Sequence, residues 1–103
     1  FYIGRTQMEL GNLPEAIDNF KKLTQQNPKF IPAYYYLGQS LGQQQQLGDA
    51  HYYLGVYYLR KRDFKNATVQ LKQALKHVED ADKRKQIEGW LADLSGKGKK
   101  KEK

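Results

Sequence analysis

The sequence predicts an all-α protein, a stack of six antiparallel helices each packed on the one before it. Three observations carry this. First, residue types recur at a spacing of 34: Gly4, Ala16 and Leu23 return as Gly38, Ala50 and Tyr57, and Ile3, Leu13 and Phe20 return as Leu37, Leu47 and Leu54. A period of this length marks a stacked two-helix unit. Second, apolar residues between these marks follow helical spacing, as in Ile87, Trp90, Leu91 and Leu94. Third, helix stops punctuate the chain at Gly11-Asn12, Asn27-Pro28 and Ser95-Gly96. The recurring order of small, small, then large apolar has a physical reason. A Gly or Ala at a helix crossing lets two backbones approach closely, and the larger residue fills the hole beside it.

Each element follows from its local residues. The first helix covers about 1–10 and ends at Gly11-Asn12. The second covers about 14–26, with Pro14 in the first turn, where a missing N–H costs nothing, and Asn27-Pro28 stops it. The third and fourth cover about 31–45 and 48–61. The fifth starts after Asp63, a suitable N-cap, and runs to about 78. The sixth covers about 80–95. Its charged residues leave one apolar stripe, the pattern of a terminal capping helix with Trp90 sealing the end of the core.

The first unit reads Ile3-Gly4, Gly11-Asn12-Leu13-Pro14-Glu15-Ala16, Phe20, Leu23 and Pro28. The second reads Tyr34, Leu37-Gly38, Leu41, Leu47, Ala50, Leu54 and Tyr57, with Arg62 where a closing proline would stand. This pattern resembles the tetratricopeptide repeat (TPR) family. The resemblance implies a right-handed, superhelical TPR-type solenoid over 1–95, with about 1–30, 31–63 and 64–95 as helix pairs. A shift of 17 residues also aligns Gly38, Ala50 and Leu54 with Gly55, Ala67 and Leu71. The fourth helix therefore carries the marks of both a first and a second helix. Regular alternation of inner and outer helices is the simpler expectation.

Composition narrows the functional classes. With 39% hydrophobic and 28% charged residues, the chain can build a core. It has eight Tyr, four Phe and one Trp, and Tyr suits half-buried faces and wet interfaces. The absence of Cys excludes disulfides and thiol catalysis and leaves the redox compartment open. No apolar run approaches the roughly 20 residues needed to cross a bilayer. The net charge of +7 is uneven: residues 61–103 hold thirteen Lys/Arg against seven acids, residues 1–60 five against four. Lys97, Lys99, Lys100, Lys101 and Lys103 form a basic tail over 96–103, expected to be disordered and at most a weak anchor for acidic or membrane surfaces. No specific nucleic-acid groove is expected, since the rest of the chain is nearly neutral.

No motif of chemistry is present. His51 and His77 stand outside any metal-ligand spacing. Gly38, Gly42, Gly48 and Gly55 are too dispersed for a phosphate loop, and Asp80 and Asp82 read as polar helix-start residues. No catalytic, cofactor-binding or metal residue is expected, so the segment reads as a non-enzymatic interaction scaffold.

A narrower resemblance rests on Leu47-Gly48-Asp49-Ala50-His51-Tyr52-Tyr53-Leu54-Gly55-Val56-Tyr57-Tyr58, with Lys65-Asn66-Ala67, Leu71, Ala74-Leu75 and the Ile87/Leu91/Leu94 helix. Over about 30–95 these residues resemble the C-terminal repeat region of bacterial CAAX-prenyl-protease-like zinc metallopeptidases. The resemblance implies a larger envelope or periplasmic parent whose His-Glu-x-x-His domain lies outside this sequence; the chain opens at Phe1 inside a periodic pattern and reads as a segment of something longer. Partners would then be a peptide, a substrate protein or the parent's own catalytic domain. The alternative is a structural or oligomerising spacer whose groove is filled by another copy.

The family pattern also implies a groove lined by the first helix of each pair. Carried over, it gives Arg5, Met8 and Glu9, then Tyr35, Gln39 and Gln43, then, if alternation holds, Val69, Gln73 and Lys76. Of the Tyr34-Tyr35-Tyr36 run, Tyr34 is a packing position and Tyr35 a groove position. This lining is mostly amide and aromatic, so the expected ligand is a neutral protein segment bound with little salt dependence.

Overall fold

The computed structural model describes residues 1–96; the expectation for the Lys-rich tail falls on residues 97–103, outside the described residues. Six α-helices follow one another: α1 Tyr2–Glu9, α2 Leu13–Gln26, α3 Pro32–Gln43, α4 Leu47–Arg60, α5 Phe64–His77 and α6 Ala81–Leu94. All begin and end within two residues of the boundaries read from the sequence. A helix of 14 residues is about 21 Å long at 1.5 Å per residue. The molecule measures 51 × 26 × 21 Å, so the helices lie across the long axis and the stack runs along it. The fold is an all-α helical repeat of the TPR type.

Local chemistry sets the helix starts. Pro14 and Pro32 occupy the first turns of α2 and α3. Asp63 caps α5, its carboxylate accepting from the Asn66 N–H at 3.3 Å, and Asp80 caps α6, accepting from the Lys83 N–H at 3.0 Å. Each satisfies a backbone donor that the helix itself leaves free.

The helix ends resolve the two competing registers. Four residues adopt positive φ: Gly11 (84°), Gln45 (63°), Arg62 (61°) and Gly96 (87°). They terminate α1, α3, α4 and α6 in the left-handed conformation that closes many helices. Each lies seven residues after Gly4, Gly38, Gly55 or Gly89. Both sets step by 34, then 17, then 34. Helices α1, α3, α4 and α6 thus share one ending and one glycine position, whereas α2 ends at Asn27 and α5 at Val78 with neither. The repeat slips by one helix at α4. The first-helix marks thus fall on α4 and α6 and not on α5, unlike the regular alternation of marks expected.

The slip has a direct packing basis. A methyl on Gly4 would meet Phe20 Cε1 at 2.8 Å, one on Gly38 would meet Leu54 Cγ at 2.7 Å, and one on Gly55 would meet Leu71 Cδ2 at 2.5 Å. In every case the knob comes sixteen residues later, from the next helix. Leu54 and Gly55 are neighbours in α4, so that helix gives a knob to α3 and takes one from α5.

Two apolar clusters result. The first joins Ala16, Ile17, Phe20, Leu37, Leu41 and Ala50, with Phe1, Met8, Leu23, Tyr36 and Tyr53 against it. The second joins Leu71, Ala74, Val78 and Ile87, with Tyr52, Trp90, Leu91 and Leu94 against it. Helix α6 contributes Ile87, Trp90, Leu91 and Leu94 to this second cluster and adds polar bonds. The Arg84 guanidinium donates to the carbonyls of Leu75 (2.7 Å) and Val78 (2.8 Å), capping the end of α5. Lys83 pairs with Asp49 at 3.0 Å, and the Tyr52 hydroxyl donates to Gln86 Oε1.

Candidate protein-interaction surface

The Tyr34-Tyr35-Tyr36 run opens α3. Consecutive residues on a helix point about 100° apart, so the three rings go to different surroundings. Tyr34 is buried, its hydroxyl donating to the Pro28 carbonyl at 3.1 Å. Tyr36 leans on the first cluster and stacks with Phe20 at 6.0 Å between centroids. Tyr35 is half-exposed and lines an open cleft of about 380 Å³ with Ile31, Pro32, Tyr36, Tyr57 and Lys61.

This cleft has an aromatic floor. The rings of Tyr36 and Tyr35 lie 5.2 Å apart, as do those of Tyr35 and Tyr57. Two cations lie against these rings, and of the two Lys61 lines the cleft. The Arg5 guanidinium stands 4.9 Å from the Tyr36 ring and 5.8 Å from Phe1, and the Lys61 ammonium stands 5.8 Å from Tyr57. These are cation–π distances. Among the described residues two ion pairs form, Lys22 with Asp18 and Lys83 with Asp49, so neither Arg5 nor Lys61 has a carboxylate within 4.0 Å.

The residues expected to line a groove are placed as follows. Arg5 lies against the Tyr36 ring and is not itself a lining residue of the cleft. Met8 packs against the first cluster and serves the core. Glu9 is exposed at the end of α1, Gln39 is half-buried one turn along α3 from Tyr35, and Gln43 is exposed at the end of α3. Val69 and Lys76 are exposed and Gln73 is half-buried on α5. Val69, Gln73 and Lys76 are not among the residues that line the Tyr35 cleft. Helix α4 occupies the place beside α3, and its last turn contributes Tyr57 and Lys61 instead. Sequence reasoning passed over both. The signal available was the second register, which gives α4 first-helix marks.

A second seam joins α4 and α6. Tyr52 lies 5.9 Å from Trp90, and Lys83 stands 4.9 Å from Tyr52 and 5.6 Å from Tyr53. The Tyr52 and Tyr53 hydroxyls both titrate above the usual tyrosine value because burial disfavours the phenolate. The opposite end of the molecule presents an apolar face, with Tyr2 and Ile3 of α1 and Leu10 just after it each about 70% exposed or more.

The histidines pair with neighbours. His51 Nδ1 lies 2.8 Å from Gln70 Oε1, and the two imidazoles stack at 6.4 Å. Among the described residues no group of three or more His, Cys, Asp or Glu could hold a metal ion. No helix there is long and apolar enough to cross a membrane.

With this geometry in place, comparison with known proteins gives two findings. No curated protein matches the chain. Residues 4–45 match the family model described as TPR repeat, a span from Gly4 on α1 to the residue that ends α3. Repeats of this family generally mediate protein–protein interaction and are typically non-catalytic.

Proposed function

We propose that the chain is a non-catalytic protein-interaction scaffold whose working surface is the face of α1 and α3, with Arg5, Tyr35 and Gln39 at its centre. The observation that carries the reading is the open cleft around Tyr35, whose Ile31, Pro32, Tyr35 and Tyr36 fall within the segment matched by the TPR family model and whose Tyr57 and Lys61 come from the end of α4. A half-exposed tyrosine gives contact area at low conformational cost. The ligand is an extended or helical segment of another protein, or of the parent chain, bound at about micromolar affinity. Parentage within a larger zinc metallopeptidase of the cell envelope is part of the same proposal and rests on the resemblance over about 30–95. A His-Glu-x-x-His motif in the parent gene upstream of Phe1 supports it, and a different preceding domain removes it.

The test uses random peptides selected on the purified chain. The peptides recovered should lose binding to a Tyr35→Ala/Gln39→Ala double variant whose helicity by circular dichroism is unchanged. Binding that survives the double variant moves the working surface to another face. If instead the groove is filled by a second copy, the chain sediments as a dimer and the same double variant as a monomer.

A further inference from the structure

We infer that the Tyr35 cleft selects acidic segments, reading side-chain carboxylates with Lys61, which lines it, and with Arg5, held against the Tyr36 ring. The inference rests on the proposed α1–α3 surface and specifies its ligand. It departs from the neutral ligand expected when the lining is taken from the family positions alone, because Lys61 is not one of those positions.

Three features carry it. The first is charge complementarity. Arg5 and Lys61 lie against the aromatic floor without a carboxylate partner, and the residues lining the cleft include no acid. A cation already held over a ring by cation–π attraction keeps its remaining N–H donors for a ligand and loses less freedom when one arrives. The second is shape. Tyr36, Tyr35 and Tyr57 touch one another at 5.2 Å, in edge-on or tilted pairs. They leave no slot for a base to enter between rings, so the floor suits a peptide lying across it better than a single strand of nucleic acid. The third is chemistry at the floor. Tyr35 and Tyr57 are half-exposed phenols, able to donate to the backbone carbonyls of an extended chain while their rings cover its aliphatic atoms.

The experiment is fluorescence anisotropy on the full chain. The probe is a labelled, C-terminally amidated peptide of alternating Glu and Ala, about ten residues long so that at ~3.3 Å per residue it crosses the three rings. Its twin carries Gln for every Glu. A single-stranded oligouridylate of matching length is the third ligand. The Glu peptide should bind about tenfold more tightly than the twin and weaken several-fold between about 50 and 500 mM NaCl. Arg5→Gln and Lys61→Gln should each weaken it about fivefold, while Lys72→Gln, on the exposed side of α5, should leave it unchanged.

Equal affinity for the two peptides overturns the inference. So does tight binding of the Glu peptide that ignores Arg5→Gln and Lys61→Gln, which places the recognition on other cations. An oligouridylate that binds more tightly than the Glu peptide and is lost with the same two variants makes the ligand a nucleic acid. If the Glu peptide fails to bind while selected neutral peptides still depend on Tyr35, the acidic preference falls and the α1–α3 surface stands. If neither binds through Tyr35, both fall.

Discussion

The junctions α3–α4–α5 and α4–α5–α6 involve helices of similar length and are held together by different physics. In the first, glycines let the helices approach until Leu54 fills the hole at Gly38 and Leu71 the hole at Gly55. In the second, Gly89, the counterpart of Gly55 one period later, has nothing within 4 Å of where a side chain would begin. There α6 lays Ile87, its one fully buried residue, and the half-buried Trp90, Leu91 and Leu94 on the second cluster, and the Arg84 cap on α5, the Lys83–Asp49 pair and the Tyr52–Gln86 bond supply the rest. Interdigitated apolar packing is dense and intolerant of volume change, whereas polar attachments are modest because water competes for the same groups. The interior should therefore unfold as a unit and the end helix should open first.

The largest effect expected is at the α4–α5 crossing. Leu71→Ala removes a fully buried side chain and should destabilise by roughly 2–5 kcal/mol in a chemical melt. Gly55→Ala should sharpen this. Alone it forces a methyl against Leu71 and destabilises; in the Leu71→Ala background the clash is gone and part of the loss should return. Additive effects of the two changes in a double-mutant cycle would break the assignment of this crossing.

Next in size is Gly38→Leu, which overpacks against Leu54 and the Ala50 carbonyl and should cost roughly 1–3 kcal/mol. A thermal melt with no loss of stability would remove Gly38 from the contact positions.

At the end helix, Arg84→Met keeps the aliphatic stem and deletes the two bonds to α5. A loss of about 1.5 kcal/mol is expected, at the low end for charge-assisted bonds because the site is half-exposed. Hydrogen exchange should speed up in α6 and leave α2 and α3 unchanged. Uniform acceleration along the chain would show that the end helix is no weaker than the interior.

The smallest change carries the opposite sign. Gly89→Ala meets open space and replaces the poorest ordinary helix former with the best, so it should stabilise by roughly 0.5–1 kcal/mol. Destabilisation would mean that α6 has a packing partner at this face, and the contrast between the two junctions would disappear.

The fold class, the six helices, the cap at Asp63 and the glycine crossings at Gly4 and Gly38 were legible before any packing was known, because each is written in a local pattern of spacing, turn residues or residue size. The sequence also separated Tyr34 and Leu37 as packing residues from Tyr35. It did not decide which neighbour α4 takes. Leu54 and Gly55 are adjacent, both registers are satisfied locally, and only simultaneous packing against α3 and α5 lets one helix use both. Packing of α4 against α3 also made the surface around Tyr35, bringing Tyr57 and Lys61 to it. Nor could spacing reveal that Arg5 lies on Tyr36, since the two are 31 residues apart and meet only when α1 and α3 are laid side by side. Helical periodicity records which face of a helix is apolar; the residues that converge on a cleft from different helices are fixed by how those faces are laid together.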